Sequence, residues 1–212
     1  MTTTTVNPEP DGPALDALRL PAAGTFTVDP VHTSIGFIAR HLMVAKVRGH
    51  FTDFTGSIAI ADDPVLSAAE ATILTASIDT SGAQRDAHLR SPDFFDSDRY
   101  PAMTFRSTAV VPRVAHRYTI LGELTIKDQT RSVQLDVEFN GQVTDPGGQQ
   151  RIAVTATAEI DRRDFGLTWN APLEGGGLMV GNTIKIEIEA EAVRLSPHDD
   201  PNTSSQITKE IP

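Results

Sequence analysis

Cysteine is absent from the 212 residues. Its absence excludes disulfides, iron–sulfur ligation and a thiol nucleophile, and leaves the redox compartment open. Large aromatics are scarce, with one Trp and two Tyr beside nine Phe. Positive charge is in deficit: 18 Lys and Arg face 28 Asp and Glu, a net charge of −10. That balance argues against nucleic-acid binding and against adhesion to anionic membranes. No apolar run approaches the length of a transmembrane helix, so stable membrane insertion is not expected. Met1 to Val6 carry no basic stretch and no apolar segment follows. A secretory signal is therefore not expected, and the expected location is cytoplasmic.

Helix is scarce as well. Only Gln84 to Arg90 reads convincingly as helix, free of Pro, Gly and β-branched residues. Ser91-Pro92 stops it, and Pro92 opens a second short turn through Asp96. Residues 84–96 are expected to form a short plug at one end of a β structure.

Most of the rest has a period of two. Strands are expected at Gly24–Val28, Ser34–Arg40, Phe51–Ile60, Ala68–Ile78, Met103–Val111 and Tyr118–Ile126, with Lys46 to Gly49 as a basic bend. The facing of Ala68–Ile78 is ambiguous because Ile73 and Leu74 are adjacent. Val133, Leu135, Val137 and Phe139 form the apolar side of another strand. Asn140-Gly141 and Asp145-Pro146-Gly147-Gly148 supply the turn after it. Ile152, Val154, Ala156 and Ala158 alternate with polar positions, as do Ile184, Ile186, Ile188, Ala190 and Ala192. The segments before residue 24 and after residue 195 read as tails. The first, with Leu15, Leu18 and Leu20 in one weak amphipathic turn, is open to a second reading as a flap over an apolar opening.

Eight or nine strands, each with one apolar face, and no amphipathic helix to cover them leave a closed barrel or a sandwich. Small inward residues favour an all-β antiparallel eight-stranded barrel with a hollow wide enough for a slender ligand. The alternative is a core filled by the Phe residues. The expected channel lining is Phe37, Phe51, Phe54, Phe94, Phe95, Phe105, Val154, Ala156, Ala158, Trp169, Ile186, Ile188 and Ala190.

No catalytic motif emerges. Asp29, His32 and Ser34 carry the letters of a hydrolase triad but crowd one turn, whereas triad members normally converge from separate elements. His32, His41 and His50, spaced by nine, match no metal-ligand spacing, and no metal is expected. Gly175-Gly176-Gly177 lacks the Lys-Ser or Lys-Thr of a phosphate loop and suits a sharp bend. Glu187, Glu189 and Glu191 suit a solvated face.

Several strings together resemble the YceI-like family of polyisoprenoid-binding proteins. They are Val28-Asp29-Pro30-Val31-His32-Thr33-Ser34 with Phe37, Arg40-His41-Leu42-Met43 with Lys46-Val47-Arg48-Gly49, and Ile78-Asp79-Thr80. Arg85-Asp86-Ala87-His88-Leu89-Arg90-Ser91 and Asp93-Phe94-Phe95-Asp96 follow, then Tyr100-Pro101 and Phe105. Later come Gly122-Glu123-Leu124-Thr125-Ile126, Arg163-Asp164-Phe165-Gly166 and Val180-Gly181-Asn182. The resemblance spans about Gly24 to Leu195. It implies an extended lipocalin-like barrel whose channel holds an isoprenoid chain, as in polyprenyl phosphates or quinones, and it implies no catalysis.

The expected function is therefore non-catalytic binding, sequestration or carriage of a long-chain isoprenoid or similar amphipathic lipid. Two alternatives stand beside it: an enzyme acting on an apolar substrate in the channel, and a structural barrel without ligand. No cofactor is expected beyond a bound polyisoprenoid or quinone. The partners in view are an amphipathic lipid and a second copy in a homodimer. Arg85, His88 and Arg90 are candidate head-group contacts. The competing role for the two arginines is to pin the plug by pairing with Asp86, Asp93 or Asp96.

Overall fold

The computed structural model describes residues 22–195 apart from 43, 115 and 173–177. The tail and flap readings and the triple-glycine bend lie outside the described residues. In chain order the strands are β1 (Gly24–Val28), β2 (Ser34–His41), β3 (Ala45–Phe51), β4 (Phe54–Ile60), β5 (Ala68–Leu74) and β6 (Ile78–Asp79). Helix α1 (Ala83–Arg90) follows, then β7 (Ala102–Pro112), β8 (Arg117–Ile126), β9 (Gln129–Thr144), β10 (Gln150–Asp161) and β11 (Val180–Arg194). No described helix is long and apolar enough to cross a membrane.

All pairings are antiparallel, and the order β1-β4-β5-β7-β8-β9-β10-β11 returns to β1. That is a closed eight-stranded barrel, as the period-two pattern predicts. Closure joins the first strand to the last, with Phe26 opposite Arg194 and Val28 opposite Ala192. Farther along, β11 takes β2 as neighbour instead, with Ile188 opposite Ile35 and Ile186 opposite Phe37. Strands β1 and β2 thus act as one long strand bent at Asp29–Thr33, and β3 and β4 as another bent at Thr52-Asp53. Beyond the second bend β3 pairs with β6 rather than β5, and α1 with its following turn fills the space between.

Several local expectations need correction. Lys46 to Gly49 is not a bend but the middle of β3, held on β2 from Ile35↔Phe51 to His41↔Ala45. The expected strand Phe51–Ile60 breaks at Thr52-Asp53. The expected strand Ala68–Ile78 ends at Leu74, where a 3₁₀ turn at Thr75–Ser77 intervenes. Ile73 is its inward residue and Leu74 its exposed one. Asn140-Gly141 makes no turn: β9 runs through it with a bulge, Ala153 facing Gly141 and Val154 facing Phe139.

Two glycines seat aromatic rings against the barrel wall. A Cβ on Gly49 would lie 2.5 Å from the Phe37 ring, and one on Gly122 would lie 2.4 Å from Phe105. The larger core cluster gathers Phe51, Phe54, Ile73, Ile78, Phe94, Met103 and Phe165 at the plug end. A smaller one, Phe26, Phe139, Ile152 and Ala192, sits toward the other end.

Candidate ligand channel

The interior is not solid. A distal chamber of about 300 Å³ is lined by Val28, Phe54, Ile58, Tyr118, Val137, Phe139, Val154, Ala156, Ile188 and Ala190, among others. A plug-side chamber of about 200 Å³ is lined by Phe37, Phe51, Phe94, Phe95, Met103, Leu124, Ile126 and Ile186, among others. Ile35, Ala71, Phe105, Leu135 and Ile188 line both. The chambers are therefore two halves of one channel with that ring as its waist. All five waist residues are apolar and on the inward face, yet only partly buried. Inward side chains in a packed barrel would be sealed; these face open space.

Eleven of the thirteen expected lining residues border a chamber. Ala158 and Trp169 do not. Ala158 is buried and opposite Ile186, but its methyl is short, and the longer Ile160 and Ile186 line the chamber in its place. Trp169 lies behind the wall: its ring packs on Phe94 at 5.3 Å and on His88 at 4.6 Å.

Arg85, His88 and Arg90 line neither chamber. Arg85 donates through Nε to the Thr80 hydroxyl and through Nη2 to the Thr80 carbonyl. Arg90 donates to the carbonyls of Ala76 and Ile78. His88 Nε2 meets Asp93 Oδ2 at 2.9 Å. The two arginines tie the plug to the segment before it, and His88 ties the helix to the turn after it. Pinning is thus their geometry, but the arginines use backbone carbonyls and the Thr80 hydroxyl rather than carboxylates. Buried Asp86 completes the joint, accepting from the Thr80 amide and, at 2.5 Å, from its hydroxyl. Burial pushes the Asp86 carboxyl up, but the Thr80 hydroxyl, with the backbone amides of Thr80 and Gly82, outweighs it and leaves the group below its usual range.

Asp29 and His32 do meet, Oδ2 to Nδ1 at 2.9 Å. They join a charge network on the outer wall rather than a triad. Arg151 Nη1 donates to Asp29 at 2.8 Å and to Glu191 at 2.6 Å, while its Nε reaches Asp145 at 2.9 Å. The His32 and Arg151 hydrogen bonds hold the Asp29 carboxyl well below its ordinary range. Asp29, His32 and Glu191 come within metal-ligand reach of one another, but the guanidinium already supplies the positive charge. The network fastens the β1–β2 bend to β10, β11 and the β9–β10 turn. Glu191 is therefore an ion-pair partner and not merely solvated.

One channel residue escapes a reading of the sequence by composition. Arg162 is 3% exposed and is the one charged side chain among the described residues lining the plug-side chamber. It continues the inward parity of Ile152, Val154, Ala156, Ala158 and Ile160, and that parity is the signal that finds it. The 3₁₀ turn Arg162–Phe165 buries Arg162 and Phe165 and ends at Gly166, whose φ of 73° suits glycine. Arg162 Nε donates to the Gly181 carbonyl, and Nη1 donates to those of Leu167 and Trp169. Nη2 has two longer contacts, both 3.4 Å, to Val180 O and Asn182 Oδ1.

With this geometry in hand, likeness to known proteins is decisive. The family model for the YceI-like domain matches residues 26–192. UPF0312 protein SA2479 of Staphylococcus aureus is 40% identical over 169 residues, covering 78% of this chain and 95% of that protein. The chain belongs to the YceI-like family. Among solved structures, the Campylobacter jejuni YceI protein is 28% identical with a TM-score of 0.64, covering 74% of this chain and 90% of its own. A polyisoprenoid binding domain from Saccharophagus degradans shares the YceI-like barrel at 15% identity and a TM-score of 0.57, covering 82% of this chain and all of that one.

Proposed function

We propose that this YceI-like barrel binds a long-chain isoprenoid or similar amphipathic lipid in its channel and sequesters or carries it without chemistry. The observation that carries the reading is the two-chambered apolar hollow joined at the ring of Ile35, Ala71, Phe105, Leu135 and Ile188. A slender chain suits two small chambers in line better than a compact ligand does. Each buried CH₂ contributes about 0.8 kcal/mol, so a few isoprene units give useful affinity through the walls alone. Among the described residues no His or Lys lines either chamber, and the two carboxylates that border the distal one, Asp62 and Glu70, are exposed to solvent rather than desolvated as a general base beside a bound chain would be. The name of the Saccharophagus degradans neighbour supports an isoprenoid as ligand.

The test is delipidation of the full chain followed by titration with a prenyl quinone, read by native mass spectrometry. A saturable one-to-one adduct, with the lipid recovered unchanged, is the expected result. Absence of any adduct would remove the binding reading, and a converted lipid would replace it with the enzymatic one.

A further inference from the structure

We propose that the tip of the β2–β3 hairpin is a docking element for an anionic lipid bilayer, and that it sets the plug end of the barrel against that surface. Between Asp29 and Asp53 the sequence holds no carboxylate, in a chain whose net charge is −10. Its Lys and Arg residues there, Arg40, Lys46 and Arg48, all face outward. Ile35, Phe37 and Ala39 of β2 line the channel, so Arg40 points the other way, with Lys46 opposite it and Arg48 opposite Ile38. All three cations are exposed, and among the described residues none of them forms an ion pair. The carboxylate that feels Lys46 and Arg48, Glu187, is already paired with Lys185 at 2.8 Å. The carboxylates of β10, Glu159 and Asp161, stand on the far side of β11, and Asp161 pairs with Arg163.

Beyond the cations the tip is apolar. Val44 is 79% exposed and Leu42 39%. The turn that presents them is fixed: the Val44 amide donates to the His41 carbonyl, and the Leu42 amide to the Met179 carbonyl at 2.8 Å. Leu178, next to that anchor, is exposed as well. Lys46 and Arg48 alone would be enough to keep the edge of β3 in solution. Branched aliphatic side chains held in water ahead of them serve no such purpose. An apolar tip with a collar of cations is what an anionic bilayer takes up: the aliphatic groups sink among the head groups while the cations meet the phosphates. The apolar area is small, so the contact is reversible. The tip is also joined to the channel. His41 pairs with Val180, and Val180 and Ala39 line the plug-side chamber. The chain as a whole, at −10, is repelled by the same surface, so this end leads the approach.

The absence of cysteine makes docking measurable one site at a time. Val44→Cys and, as its counterpart, Val114→Cys are each labelled with an environment-sensitive fluorophore. Val114 is as open, at 83% exposed, but lies between β7 and β8, near Tyr118 of the distal chamber. The full chain is mixed with vesicles of phosphatidylcholine, or of equal parts phosphatidylcholine and phosphatidylglycerol. The label at position 44 is expected to brighten and shift to the blue with the mixed vesicles only, and to lose the change as added salt shortens the reach of the charges. The label at position 114 should not respond. In sedimentation with the mixed vesicles, Lys46→Gln with Arg48→Gln should partition roughly tenfold or more below the wild type. Arg117→Gln with Arg131→Gln removes the same charge elsewhere and should partition like the wild type. Prenyl-quinone binding should be the same in both double variants. No association of the wild type with either vesicle, equal association with both, an equal response at position 114, or a loss shared by the two double variants overturns the docking tip and leaves channel binding standing. A wild type that docks but takes up no quinone overturns the channel reading and leaves the tip standing.

Discussion

The two chambers share one sheet but are built differently. The distal chamber sets small and branched aliphatic residues, Ala156, Ala190, Val154 and Ile58 among them, beside Phe54, Tyr118 and Phe139. The plug-side chamber is walled by Phe37, Phe51, Phe94, Phe95 and Phe105, is closed over by the turn after α1, and carries Arg162. The difference follows from the strand bends. Where the eight-stranded ring is intact, neighbouring strands do the walling and small side chains leave a hollow. Where β3 leaves β5, side chains from the plug must fill the breach, and aromatics do it.

Five variants and a titration break or sharpen this contrast. Phe94→Ala should have the largest effect, lowering stability by roughly 3–5 kcal/mol in thermal or denaturant unfolding. Val154→Ala in the distal wall, whose side chain already faces open space, should cost only about 1 kcal/mol; equal costs would erase the distinction. Asp86→Ala strands two buried Thr80 donors and should cost about 2–3 kcal/mol. Amide exchange should then speed up in residues 78–96 before it does in β10. Ala156→Phe should abolish prenyl-quinone binding while changing stability by less than about 1 kcal/mol; a loss of roughly 1–3 kcal/mol would mean that the distal chamber is packed rather than open.

The acid response comes next. Asp29, Asp86 and Asp145 are all held below the usual carboxylate range, Asp145 chiefly by Arg151. A depressed native value makes each contribution complete above the unfolded-state value near 3.9. It is lost as pH falls through the native values, so stability should be flat from neutral pH to about 5 and decline below about 4. Smallest of all, Glu187→Gln with Glu189→Gln should leave ligand binding unchanged in the same titration. A changed affinity would put the outer face of β11 in the site.

The barrel was legible because β10 and β11 alternate without a break and β9 does so up to its bulge, and nothing else in the chain can cover their apolar faces. The bends were not. Thr52-Asp53 carries no Gly or Pro, so a strand run through it looks continuous, and β3 is too rich in Lys, Arg and His to look like a strand. Its order comes from pairing with β2, a tertiary contact that local propensity does not encode. Most of the lining was legible for the same reason as β10. Tyr118, Val137 and Phe139 belong to it too; the alternation around Val137 already gave the parity of the last two, whereas Tyr118 is placed by its pairing opposite Val137. Arg162 was missed because a cation reads as surface by type, although parity puts it inside.

Closure of the ring between β1 and β11 has a consequence for how the protein is made. The partner of Phe26 is Arg194, so the first strand synthesised waits for the last described one. Until β11 has left the ribosome, β1 and β10 each present an unpaired edge, and the apolar faces of the sheet look onto water. Such long-range pairing is slow to form and exposed to misassociation while it waits. A nascent chain stalled short of residue 180 should therefore be held by chaperones and remain sensitive to protease, and one stalled after β11 has emerged should become resistant in a single step.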